Sequence, residues 1–82
     1  MQKIEKLFGM VVRRRREALG LSQEDFADKV GIHRTYVSSI ELGKVGISIG
    51  IAEKLSLALE APLSQLFKEA EVVARRKRMK EQ

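Results

Sequence analysis

The stretch Leu21-Ser22-Gln23-Glu24-Asp25-Phe26-Ala27-Asp28-Lys29-Val30-Gly31-Ile32-His33-Arg34-Thr35-Tyr36-Val37-Ser38-Ser39-Ile40-Glu41-Leu42-Gly43 decides the fold. Ser22 has N-cap chemistry, and Gln23, Glu24 and Asp25 place acceptors and negative charge in the helical turn that follows. A short helix over 23–30 then buries Phe26, Ala27 and Val30. Gly31 suits its end, because glycine tolerates the left-handed backbone that closes one helix and aims the next. A further helix runs from about Arg34 to Leu42 and stops at Gly43. Ala27 is small enough to let the two helices cross closely.

Working outward, residues of about 3–19 form a helix before this stretch: Ile4, Leu7, Phe8, Val11 and Val12 recur at helical spacing, and Gly20 suits its stop. After it, Ser48 caps a helix over 49–59 with the inner stripe Ile51, Ala52, Leu55, Ala58 and Leu59. Pro62 is tolerated at the start of a last helix, where its missing N–H has no partner in any case. Leu63, Leu66, Phe67, Ala70, Val73 and Ala74 form the seam of that helix, which is expected to fray into Arg75-Arg76-Lys77-Arg78-Met79-Lys80. Val45 to Ile51 alternates, but glycines interrupt it, and no convincing strand remains. The expected fold is all-α: five helices in one compact domain over 1–74, followed by a basic tail over 75–82.

Eighty-two residues make one small domain whose core is thin. With no cysteine and one histidine, His33, the chain has neither disulfides nor a Cys-based or multi-His metal site, so no metal or cofactor is expected. No apolar run approaches the roughly 18 residues of a membrane span, and a cytoplasmic protein is expected. An enzyme is disfavoured: Ser22, Ser38 and Ser39 have only His33 as a base, and no acidic partner for it can be assigned. The net charge of +5 is uneven. Residues 1–46 carry nine basic and six acidic side chains, 47–74 two and four, and 75–82 five and one. Such a distribution suits a polyanion partner, although ordinary solubility explains a charge of this size equally well.

Two short helices across one glycine turn have the spacing of a helix-turn-helix, in which one helix lies over the phosphate backbone and the second enters the major groove of double-stranded DNA. On a helical wheel, Val37, Ile40 and Glu41 share one side of that second helix. Thr35, Ser38, Ser39 and Leu42 share the other, with Arg34 at the N-terminal edge. Arg34 has the geometry to pair bidentately with guanine, and Thr35 the methyl group to meet thymine.

This segment resembles the Cro and lambda-repressor-like (XRE) family of helix-turn-helix regulators over about residues 8–67. The resemblance lies in Ser22-Gln23-Glu24, the Gly31 turn, Ile40-Glu41-x-Gly43, Ala58-Leu59 and Leu66-Phe67. Arg34-Thr35-Tyr36-Val37-Ser38 also resembles the restriction–modification controller proteins, small dimeric members of that family. The resemblance implies a lambda-repressor-like fold and a sequence-specific regulator without enzymatic activity. It implies that Gln23 and Lys44 meet phosphates and that Arg34, Thr35, Ser38 and Ser39 face bases. His33 stands where relatives often carry a Ser or Thr cap, and a structural role and a phosphate contact are both open. Tyr36 packs at the domain edge or touches DNA, and Leu42 replaces a residue that is often polar. Arg16 and Glu41 are implied to form an ion pair, which agrees with the core-side position of Glu41. Arg15 interrupts the apolar stripe of the first helix, its stem snorkelling, and the rest of Arg13–Arg16 reads as solvated or phosphate-facing.

Ile47, Ile49 and Leu57 remain as apolar surplus, and the seam of the last helix is wider than so small a core needs. An excess of this kind marks an interface. The expected assembly is a two-fold homodimer through Ile47, Ile49, Leu63, Leu66, Phe67 and Ala70, reading a near-palindromic site, with RNA polymerase as a further candidate partner. The competing reading is an antitoxin-like protein-interaction module that also binds its own promoter; the basic tail disfavours it. Docking of the tail on RNA or an anionic membrane is a third, and its lone apolar residue, Met79, argues against insertion.

Overall fold

The computed structural model describes residues 3–81, with the side chains of residues 78, 80 and 81 outside that description. It contains, among the described residues, α1 (Ile4–Ala18), α2 (Gln23–Val30), α3 (Arg34–Glu41), α4 (Ile49–Leu59) and α5 (Leu63–Glu81), and no strand. The caps read from the sequence are formed. Ser22 Oγ accepts from the Asp25 N–H at 3.0 Å and Ser48 Oγ from the Ile51 N–H at 3.1 Å. Each satisfies an amide that the first turn leaves unpaired.

All five helices contribute to one core. Val11 and Val12 of α1, Phe26 of α2, Val37 of α3, Leu55 of α4 and Leu66 of α5 are fully buried side chains. Burying each aliphatic or aromatic side chain of this kind stabilises the fold by about 1.5–3 kcal/mol. Helix α1 is the common support: α5 packs along it most extensively, and α3 and α4 also rest on it. Phe8 and Phe67 meet at the α1–α5 crossing with ring centroids 5.1 Å apart.

Three expectations are corrected here. Helix α5 does not fray at Arg75 but continues to Glu81. Nothing after Pro62 breaks it: Ala74, Arg75, Arg76, Lys77 and Met79 are good helix formers, and cations at a helix C-terminus oppose the carbonyl end of its dipole. Of the basic tail, the side chains of Arg78 and Lys80 lie outside the described residues. Leu66 and Ala70, expected at a dimer interface, are 0% exposed within the single chain, because α5 turns them onto α1 and α4. The Arg15 side chain, read as snorkelling, instead reaches Glu69 on α5, while Arg14 stays exposed as read, 3.6 Å from the same carboxylate.

Candidate nucleic-acid interface

Helix α3 is short, and its placement depends on four contacts with its surroundings. At its entry Gly31 adopts φ +88°, and its N–H donates to the Ala27 carbonyl at 2.8 Å, closing α2. His33 then caps α3: its Nδ1 accepts from the Thr35 N–H at 3.0 Å. An accepting Nδ1 leaves the ring proton on Nε2, so the exposed edge of the imidazole is a donor. The structural role for His33 is therefore present.

At its exit, α3 meets α1 at backbone distance. A Cβ on Gly9 would fall 2.2 Å from the Ile40 carbonyl oxygen, and a Cβ on Gly43, whose φ is +70°, 2.5 Å from the Cα of Lys6. Neither position admits a side chain. Sequence reasoning took Gly43 as a helix stop and passed over Gly9, although a glycine inside an otherwise good helix costs about 1 kcal/mol and so signals a close contact.

The fourth contact is an ion pair. Arg16 Nε donates to Glu41 Oε2 at 2.7 Å and its Nη2 to Oε1 at 3.0 Å, while Nη1 donates to the Leu21 carbonyl at 2.7 Å. Both side chains are almost wholly buried. The hydrogen bond to Glu41 raises the Arg16 pKa against the opposing effect of burial. Gln23 Nε2 adds a third donor to Glu41, at 3.1 Å. One amide hydrogen of Gln23 is thus committed inward, and the second is the donor a phosphate contact requires. No buried side-chain nitrogen or oxygen among the described residues lacks a partner.

With its inner face held in this way, α3 turns a polar face outward. Arg34, Thr35 and Lys44 are exposed, and Ser38 and Ser39 are half-buried. Tyr36 packs partly against the core. Leu42 is 51% exposed at the far end of the same face. The structure therefore brings Gln23, His33, Arg34, Thr35, Ser38, Ser39 and Lys44 onto or beside one two-helix unit.

The helix-turn-helix model matches residues 12–66. The chain belongs to the helix-turn-helix family. It is 43% identical over 72 residues to the control protein C.MunI of Mycoplasma sp, an alignment covering 87% of this chain and 97% of that protein. The restriction-modification controller protein C.AhdI of Aeromonas hydrophila superposes with a TM-score of 0.72 at 38% identity, over 74% of this chain and 92% of that one. The clp gene regulator ClgR of Corynebacterium glutamicum, at 20% identity, shares the fold with a TM-score of 0.93 over 98% of this chain and 85% of that one. Members of the family are DNA-binding transcriptional regulators and not enzymes, and the five helices have the lambda-repressor-like arrangement. Among the described residues no helix is long and apolar enough to cross a membrane.

A second surface is apolar. Ile4, Phe8, Ile47, Ile49, Ala52 and Phe67 line an apolar groove of about 210 Å³ between the start of α1, the α3–α4 loop and α5. Ile49 on its edge is 84% exposed and Phe67 42%. Elsewhere along α5, Glu69 fastens the helix to α1. Its carboxylate accepts from Arg15 Nε at 3.1 and 3.2 Å, from Arg15 Nη2, and from Gln65 Nε2 at 2.9 Å, and Arg14 Nη2 lies 3.6 Å away. The Arg15 hydrogen bonds are the largest cause holding the Glu69 pKa down at about 2, against partial burial and with help from Gln65 and the two arginine charges. The sequence did carry a signal for this contact: an arginine interrupting an apolar stripe calls for an acidic partner.

Proposed function

We propose that the protein is a transcriptional regulator of the restriction–modification controller type, acting in the cytoplasm as a homodimer on a near-palindromic operator. The observation that carries the reading is the outward polar face of α3, exposed at Arg34 and Thr35 and held from behind by the Arg16–Glu41 pair. Arg34 pairs with guanine, Thr35 meets a thymine methyl, and Ser38 and Ser39 complete the base contacts. Gln23, His33 through Nε2–H, and Lys44 take phosphates, and Tyr36 lies at the edge of the contact. The basic end of α5 adds sequence-independent affinity by releasing counterions. Ile47, Ile49, Leu63 and Phe67 meet a second copy, so that two α3 helices address half-sites about 34 Å apart. RNA polymerase is the partner through which the bound dimer acts on transcription.

The test is a titration of wild type and Arg34→Ala against a duplex selected from a random pool and against its scrambled version. Arg34→Ala is expected to lose about 1–3 kcal/mol on the selected duplex and little on the scrambled one. Equal losses on both would make Arg34 a phosphate contact.

A further inference from the structure

Arg15 and Arg16 are consecutive on α1, and each holds a carboxylate on a different helix. Arg16 grips Glu41 at the end of the recognition helix, and Arg15 grips Glu69 in the middle of α5. One turn of α1 thus joins the helix proposed to read DNA to a helix proposed to meet the second copy. Elsewhere α1 and α5 meet through Phe8 on Phe67 and through Val11, Leu66 and Ala70 in the core, and Lys77 Nζ lies 3.7 Å from Met10 Sδ. Packed side chains select a class of crossing angle for two helices, and the apolar attraction behind them is itself non-directional. A forked arginine on a carboxylate is directional.

We propose that Glu69 is a positioning residue that fixes the spacing of the two recognition helices, by locking α5 to α1 through Arg15, Arg14 and Gln65. This rests on the dimer reading above. The lever is long: with each recognition helix about 17 Å from the two-fold axis, a rotation of about 5° in both protomers changes their spacing by about 3 Å. That is close to the rise of about 3.4 Å per base pair. Loosening the lock therefore costs the dimer its discrimination between half-site spacings, while the base contacts of each half are untouched.

The experiment measures the affinity of the full chain for its selected two-half-site duplex and for versions with one base pair inserted or deleted at the centre. Wild type, Glu69→Gln and Arg15→Met are compared, with sedimentation and thermal melting beside them. Wild type is expected to lose about tenfold or more on each altered duplex. The two variants, still dimeric, are expected to narrow that ratio to about threefold or less. The charge-swapped double variant Arg15→Glu with Glu69→Arg is expected to restore part of it, and it decides the matter should a single variant fail to fold. A lowered melting temperature with an unchanged spacing ratio would overturn the proposal, since it makes the contact structural only. A wild-type monomer, or a wild type indifferent to spacing, would instead sink the dimer reading and this inference with it.

Discussion

A buried guanidinium and a buried carboxylate are costly to desolvate, and Arg16 and Glu41 are kept because each of their nitrogens and oxygens has a partner. Arg16 spends its Nε and both terminal nitrogens on Glu41 and the Leu21 carbonyl, and Glu41 takes a third hydrogen bond from Gln23. Removing one partner leaves a buried charge without its counter-charge, with only the Gln23 amide facing Glu41 or only the Leu21 carbonyl facing Arg16. Arg16→Ala and Glu41→Ala are each expected to lower unfolding free energy by about 3–5 kcal/mol, measured by urea denaturation. The preference among operator sequences, measured on whatever fraction remains folded, is expected to change little, because neither group reaches the outer face of α3. Stability equal to wild type in either variant would show that the pair contributes nothing. At the same scale His33 is the less usual choice, since serine or threonine is the commoner cap; its ring satisfies the Thr35 amide and still presents Nε2–H outward.

At the scale of helices, α1 and α3 meet backbone against backbone. The Cβ missing at Gly9 would lie 2.2 Å from the Ile40 oxygen, an atom that cannot swing aside as a side chain can. Gly9→Ala gains about 1 kcal/mol of helix propensity but must push α1 and α3 apart. The expected net result is a loss of about 1–3 kcal/mol together with weaker specific binding, read by denaturation and by titration. A variant as stable as wild type and with full affinity would show that the two helices can separate freely. The helices themselves were legible in the sequence, because caps at Ser22 and Ser48, the Gly31 stop and the apolar stripes are local signals. So was the polar outer face of α3, since the positions of Val37, Ile40 and Glu41 settle which side of the helix is left over. Long-range contacts were not. The Arg15–Glu69 link joins residues 54 apart, and neither periodicity nor capping says which acid a misplaced arginine meets. The length of α5 was misjudged for the opposite reason: a run of cations was read as a frayed end although nothing in it opposes a helix.

For the whole molecule the deciding quantity is how much apolar surface a chain of this size can hide. A small domain buries only roughly 60% of its unfolded surface, so some apolar residues must remain outside; their grouping is what carries meaning. Leu42 and Leu57 are exposed away from the groove walls, whereas Ile4, Ile49 and Phe67 are exposed around one groove that also takes in Phe8 and Ile47. Of these, Ile49 is the informative site, because at 84% exposure it gives almost nothing to its own protomer. A charge at Leu66 would unfold the monomer and so test nothing about assembly. Ile49→Asp is expected to leave the helical content intact but to sediment as a monomer at micromolar concentration, where wild type is expected to sediment as a dimer. The melting temperature of wild type should then rise with protein concentration, as mass action requires of an associating fold, and that of Ile49→Asp should not. On DNA the variant should keep its affinity for a single half-site and lose the extra affinity of a two-half-site duplex. An Ile49→Asp protein with the mass of wild type would move the interface away from this groove, and the spacing argument built on α5 would have to move with it.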